Sequence, residues 1–115
     1  MAVNAVIFDI DGTLVDSVDL HARAWQEAFQ HFGYKISFEK IRHEIGKGSD
    51  KLIPDLLGAE ESKRVHEQLD QFRGELWKSK YLARGSHFRE SANSLSAFCA
   101  TESRLCWLRR LRAMN

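Results

Sequence analysis

A continuous apolar run, Ala5-Val6-Ile7-Phe8, is followed at once by acids and a turn former, Asp9-Ile10-Asp11-Gly12-Thr13. Four apolar residues in a row, bounded by turn residues, read as a strand buried on both faces whose carboxyl end opens into a loop. The rest of the first 85 residues carries helical patterns. One strand followed by helices cannot make a sheet, so this strand requires parallel partners that the chain does not visibly supply. The expected fold class is α/β, with an incomplete core represented mainly by its first strand.

The helical patterns predict four elements. Trp25, Ala28, Phe29 and Phe32 recur on one helical face between Ser17, a residue type that accepts hydrogen bonds from first-turn amides, and Gly33, a left-handed terminator. This predicts a helix over 18–32. A shorter helix is expected from Ser37 to about Ile45, closed by Gly46, and a third from Ser49 or Asp50 to Leu57, closed by Gly58, with Pro54 in its early turns. From Glu60, the apolar positions Val65, Leu69, Phe72 and Leu76 form one stripe of a long helix ending near Leu82, with Gly74 as a propensity cost inside it. The Trp25, Phe29 and Phe32 stripe reads as core.

Composition narrows the class of function. Of 115 residues, 17 are Lys or Arg and 16 are Asp or Glu, a formal charge of +1, which leaves no whole-chain footprint for nucleic acid. No apolar run reaches bilayer length, and Asp9 and Asp11 interrupt the hydrophobicity that a signal peptide needs, so a cytoplasmic protein off the membrane is expected. Cys99 and Cys106 have no second pair and no histidines at metal-ligand spacing, which supports neither a disulfide framework nor a zinc site.

The chemistry-bearing residues cluster at the strand's end. Asp9 and Asp11 flank one residue, and in a parallel sheet that edge is where ligands bind. One carboxylate can stay ionised as nucleophile or metal ligand, while its charge raises the pKa of the other, which suits a general acid. Gly12 leaves the turn without a side chain, and Thr13 offers a hydroxyl to an oxyanion. The plainer reading of the same residues is an Asp-rich turn that only caps a strand.

The segment Phe8-Asp9-Ile10-Asp11-Gly12-Thr13-Leu14-Val15-Asp16-Ser17 resembles the first signature of the haloacid-dehalogenase-like (HAD) superfamily, in the branch with a small helical cap inserted directly after it. The resemblance continues through His21, Trp25, Phe29 and Gly33 and the run Gly46-Lys47-Gly48-Ser49-Asp50, and fades after about Leu82. It implies a Rossmann-like core, present here in residues 1–14, and a four-helix cap over residues 15–84. It also implies Mg²⁺-dependent phosphoryl transfer on a small phosphorylated metabolite. By that resemblance Asp9 attacks phosphorus to give an aspartyl-phosphate, and Asp11 protonates the leaving oxygen and then activates water. Mg²⁺ is held by the Asp9 carboxylate and the Asp11 backbone carbonyl, and Thr13 helps hold the phosphate. An Asp at position 11 favours phosphatases and phosphomutases over dehalogenases and phosphonatases, so sugar-phosphate mutase ancestry is the alternative. A cation answers a physical need, because a carboxylate meets a dianionic phosphate only when the repulsion is offset.

Three further residues have two readings each. Lys47, between two glycines in the connection of two cap helices, is either a substrate-facing cation or a solvated lysine. His21 is either a substrate or hinge contact or, the preferred reading, a half-buried ring packed beside Trp25. Asp16 is expected to cap the first helix or its flap.

The later signatures implied by the resemblance are a Ser or Thr after a second strand, a Lys, and a late acidic pair. None is placed here, and neither Lys nor Asp occurs beyond Lys80 and Asp70. Residues 86–115 carry 5 basic and 2 acidic side chains and no Gly, Pro, Val, Ile, Lys or Asp, so strand and turn formers are both missing. Residues 85–115 are therefore set apart as a basic tail, and the composition favours a frameshifted or degraded coding sequence. The alternatives are a basic amphipathic helix on an anionic surface, with Leu105, Leu108 and Leu111 among Arg104, Arg109, Arg110 and Arg112, and a plain packing helix anchored by Trp107. The expected function is HAD-like phosphate-ester hydrolysis by ancestry, with no activity in this chain alone. The rival is a non-catalytic cap or interaction module, or a fragment without function.

Overall fold

A computed structural model describes residues 9–87. The expected strand Ala5–Phe8 and all three readings of the tail beyond His87 lie outside the described residues.

Four α-helices follow the sequence patterns closely: α1, Val18–His31; α2, Phe38–Glu44; α3, Ser49–Leu57; and α4, Ala59–Leu76. The terminators are where the glycines predict them. Gly33, Gly46 and Gly58 adopt φ of 87°, 107° and 86°, in the left-handed region that a side chain strains. Ser37 accepts from the Lys40 amide at 3.4 Å as the N-cap of α2. Pro54 sits at the sixth of nine positions in α3, deeper than expected.

Three expectations are corrected. Ser17 occupies the N-cap position of α1 but makes no side-chain capping bond, because its ψ of −7° departs from the extended geometry that aims a cap at the amides. Its carbonyl accepts the first helical hydrogen bond, from the His21 amide at 2.9 Å. Asp16 does not cap: it belongs to β1, Val15–Asp16, which pairs antiparallel with β2, Ser86–His87, in the register Val15 to His87 and Asp16 to Ser86. The long last helix does not run unbroken to Leu82. After Leu76 it winds as a π turn over Trp77–Tyr81 and then as a 3₁₀ turn over Leu82–Arg84.

The chain divides into two compact units. One is Ser17–Gly85; the other contains the described residues 9–16 and 86–87. In the helical unit, Ala22, Trp25, Ala28 and Phe29 of α1 pack with Ile41 of α2, Leu52 and Ile53 of α3, and Leu69 of α4. Seven of these eight are fully excluded from solvent, which makes this the main source of the unit's stability. Phe32, Val65 and Phe72 line its edge, so the predicted stripe of α1 and that of α4 as far as Phe72 face this core, while Leu76 packs beside Ala24, Trp77 and Tyr81. Polar ties join the elements at the surface: Arg42 of α2 to Asp19 of α1 at 2.6 Å, and the Tyr34 hydroxyl to Glu61 of α4 at 2.5 Å. No helix among the described residues is long and apolar enough to cross a membrane.

Candidate functional site

The acidic loop is a tight turn built on one carbonyl. Ile10 C=O accepts from the amides of Thr13 at 3.3 Å, Leu14 at 2.9 Å and Val15 at 2.9 Å, and the Gly12 amide donates back to Val15 C=O at 2.8 Å. Gly12 reaches φ 76°, which a side chain there would oppose. The turn buries Leu14, 7% exposed, and leaves Asp9, Asp11 and Thr13 exposed. Asp11 and Val15 form a bridge across the turn, so the loop closes directly into β1. Two carboxylates and a hydroxyl are thereby carried on five residues of fixed backbone.

Their donor chemistry fits a hard divalent cation. Mg²⁺ takes oxygen ligands, binds through one or two carboxylates and keeps several waters. Asp9 and the Asp11 carbonyl are the groups that would hold it. Among the described residues no set of three or more His, Cys, Asp or Glu side chains is assembled around a common point.

Lys47 and His21 belong to the helical unit. Lys47 lies in the α2–α3 connection, where its ammonium donates to Glu44 and, at 2.8 Å, to Asp55. The hydrogen bond to Asp55, then that to Glu44, raises the Lys47 pKa, and the same contact lowers that of Asp55. Lys47 is thus an exposed cation already paired with two carboxylates, and an anion at this position would compete with them. Glu44 ends α2 three residues earlier, and Asp55 lies on α3.

His21 is half-buried, as expected, and its ring meets Trp77. The two rings stack with centroids 3.7 Å apart and planes 12° from parallel. Residue 21 lies on the side of α1 that meets the end of the last helix, while Trp25 turns into the main core.

Comparison with known proteins places these features in a family. Residues 6–98 match the haloacid dehalogenase-like hydrolase model, so the likeness runs past Leu82, where the resemblance read from the sequence fades. A phosphoglycolate phosphatase of Aliivibrio fischeri is 35% identical over 95 residues, covering 82% of this chain and 40% of the relative. The phosphoglycolate phosphatase of Chromobacterium violaceum is 33% identical over 89 residues, covering 76% of this chain and 37% of its own. The chain thus spans about 40% of the length of the curated relatives it matches. Among solved structures, a protein of Bacteroides fragilis assigned as a haloacid dehalogenase-like hydrolase superposes with a TM-score of 0.79 at 21% identity, over 89% of this chain and 49% of that one. At that identity the likeness speaks for the fold: an α/β core, incomplete here, with a helical cap. By the match over residues 6–98, the chain belongs to the haloacid dehalogenase-like hydrolase family.

Proposed function

We propose that these residues are the nucleophile-bearing turn and the cap of a Mg²⁺-dependent phosphate-ester hydrolase acting on a small phosphorylated metabolite of the phosphoglycolate type. The observation that carries the reading is the closed turn on Ile10 C=O, which holds Asp9, Asp11 and Thr13 exposed on one short stretch of backbone.

In this reading an Asp9 carboxylate oxygen bonds to phosphorus as the ester P–O bond breaks, and Asp11 gives its proton to the leaving oxygen. Asp11, now a carboxylate, takes a proton from water. That water attacks phosphorus, releases Asp9, and leaves as inorganic phosphate. Thr13 donates to a phosphate oxygen. Mg²⁺, when bound, offsets the repulsion between the carboxylate and the phosphate dianion. Lys47 is assigned to an anionic group of the substrate, in exchange for Glu44 or Asp55, and His21 to packing against Trp77.

The 115 residues alone are assigned no turnover. The later Lys and Asp implied by the family pattern have no counterparts, because neither residue type occurs after Lys80 and Asp70. The test fuses residues 1–98 to the remaining portion of the Aliivibrio fischeri relative and assays phosphoglycolate hydrolysis beside the 115-residue chain. The fusion is expected to hydrolyse it only with Mg²⁺, and the chain alone to do nothing. A folded fusion without Mg²⁺-dependent turnover would sink the proposal.

A further inference from the structure

The buried apolar residues of the helical unit fall into two groups that share α1. The main core uses Ala22, Trp25, Ala28 and Phe29; the second group takes Ala24 from another side of the same helix and adds Trp77 and Tyr81, flanked by Leu20 and Leu76. Trp77 and Tyr81 stack on each other with centroids 6.3 Å apart, and His21 covers the other end of the stack through Trp77. A polar cluster sits beside them. Lys80 Nζ donates to both oxygens of Glu27, at 2.7 and 2.8 Å, and the Tyr81 hydroxyl donates to the same carboxylate. These partners lie in the stretch where regular α-helix has ended: the Leu82 amide reaches back to Trp77 C=O, five residues away, and a 3₁₀ turn follows.

We propose that residues 77–84 are a latch: a segment that comes off α1 in an opening of its own, with the main core still closed. Three observations carry this. The apolar hold is the smaller one, three buried residues, Ala24, Trp77 and Tyr81, with Leu20, Leu76 and the His21 ring beside them, against eight buried residues in the main core. The polar hold is half in water, with the side chains of Lys80 and Glu27 48% and 38% exposed, so screening limits its strength. The backbone of the segment has left the α-helical ladder, and π turns concentrate where a helix serves something other than regular packing. Regions of this kind open at lower free energy than the core they adjoin.

The place of the latch gives it a consequence. The unit begins at Ser17, directly before α1, and ends at Gly85, directly after the latch. With the latch closed, the two points where the chain enters and leaves the unit are held to one helix. With it open, only the pairing of β1 with β2 still ties the exit to the entry.

Native-state hydrogen exchange on the 115-residue chain, amide by amide across sub-denaturing urea, tests this. The amides of Trp77–Leu82 are expected to exchange at least about tenfold faster than those of Phe29, Ile53 and Leu69, with a weaker urea dependence. Glu27→Ala should speed the first group about tenfold further and leave the second within about twofold. Equal opening and urea dependence for both groups in the unsubstituted chain would overturn the latch, whether or not any variant folds. So would a Glu27→Ala or Tyr81→Phe chain in which both groups accelerate alike, or neither does.

Discussion

Leu69→Ala probes how the longest helix is held. Leu69 is fully buried, and the other buried residue of α4 is Ser62, so the docking of 18 residues leans on one leucine with Val65 and Phe72 at its sides. Truncation removes three carbons, about 2.4 kcal/mol at roughly 0.8 kcal/mol per methylene, and the cavity left in the main core brings the cost to about 3–4 kcal/mol. A unit of this size holds about 3–10 kcal/mol in all, from roughly 0.05–0.15 kcal/mol per residue. The substitution should therefore consume a large part of the fold's stability. Urea unfolding followed by far-UV circular dichroism reads it: with a slope of about 1 kcal/mol per molar, the midpoint should fall by about 3 M. Leu69→Met, which keeps the volume, should cost less than about 1.5 kcal/mol, and Glu67→Ala, exposed on the same helix, less than about 0.5 kcal/mol. A Leu69→Ala loss below about 1 kcal/mol, comparable with Glu67→Ala, would refute the packing account.

Two alanine substitutions for glycine should have opposite signs although neither new methyl group meets an atom within 4 Å. Gly33→Ala, at φ 87°, should destabilise by about 1 kcal/mol, and Gly74→Ala, inside α4, should stabilise by about 0.5–1 kcal/mol, both read from thermal midpoints. The Glu27 cluster should make stability depend on pH at both ends. Burial works to raise the Glu27 pKa, but Lys80, the Tyr81 hydroxyl and Arg84 together outweigh it and hold the carboxyl below its ordinary 4.5. Its contribution is then full above that value and lost as pH falls through the lower folded one. Tyr81 is pushed up to about 12 by burial and then by Glu27, against the opposing charges of Arg84 and Arg23. Its contribution is full below the ordinary 10.0 and lost as pH rises toward the folded value. The difference in thermal midpoint between the unsubstituted chain and Glu27→Ala should be flat from about pH 5.5 to 9 and shrink on both sides; a difference that grew toward acid would contradict the pairing.

The helical unit was legible because its punctuation is local. Gly33, Gly46 and Gly58 each stop a helix through their own backbone freedom, and the stripes of α1 and α4 are periodic enough to name the core without a third dimension. What the sequence hid depends on distant partners. The pairing of Val15–Asp16 with Ser86–His87 joins segments separated by the whole helical unit, and neither pair has a strand-like pattern of its own. The π turn at Trp77–Tyr81 leaves no mark in residue types that suit an α-helix equally well. It is seen only once Trp77 lies under His21 and Tyr81 reaches Glu27. For the site, the Asp-x-Asp-Gly-Thr run was enough to locate the turn, whereas the pairing of Lys47 with Asp55 needed the packing of α2 beside α3.

The most direct test of the chemistry asks which carboxylate becomes phosphorylated. The fusion carrying residues 1–98 is mixed with phosphoglycolate and Mg²⁺, quenched in acid during turnover, and mapped by peptide mass. The account predicts one phosphoryl group on Asp9, absent without Mg²⁺ and abolished together with turnover in Asp9→Asn, while Asp11→Asn impairs turnover and leaves Asp9 as the site of any label. A phosphoryl group on Asp11, or undiminished hydrolysis by the Asp9→Asn chain, would contradict it.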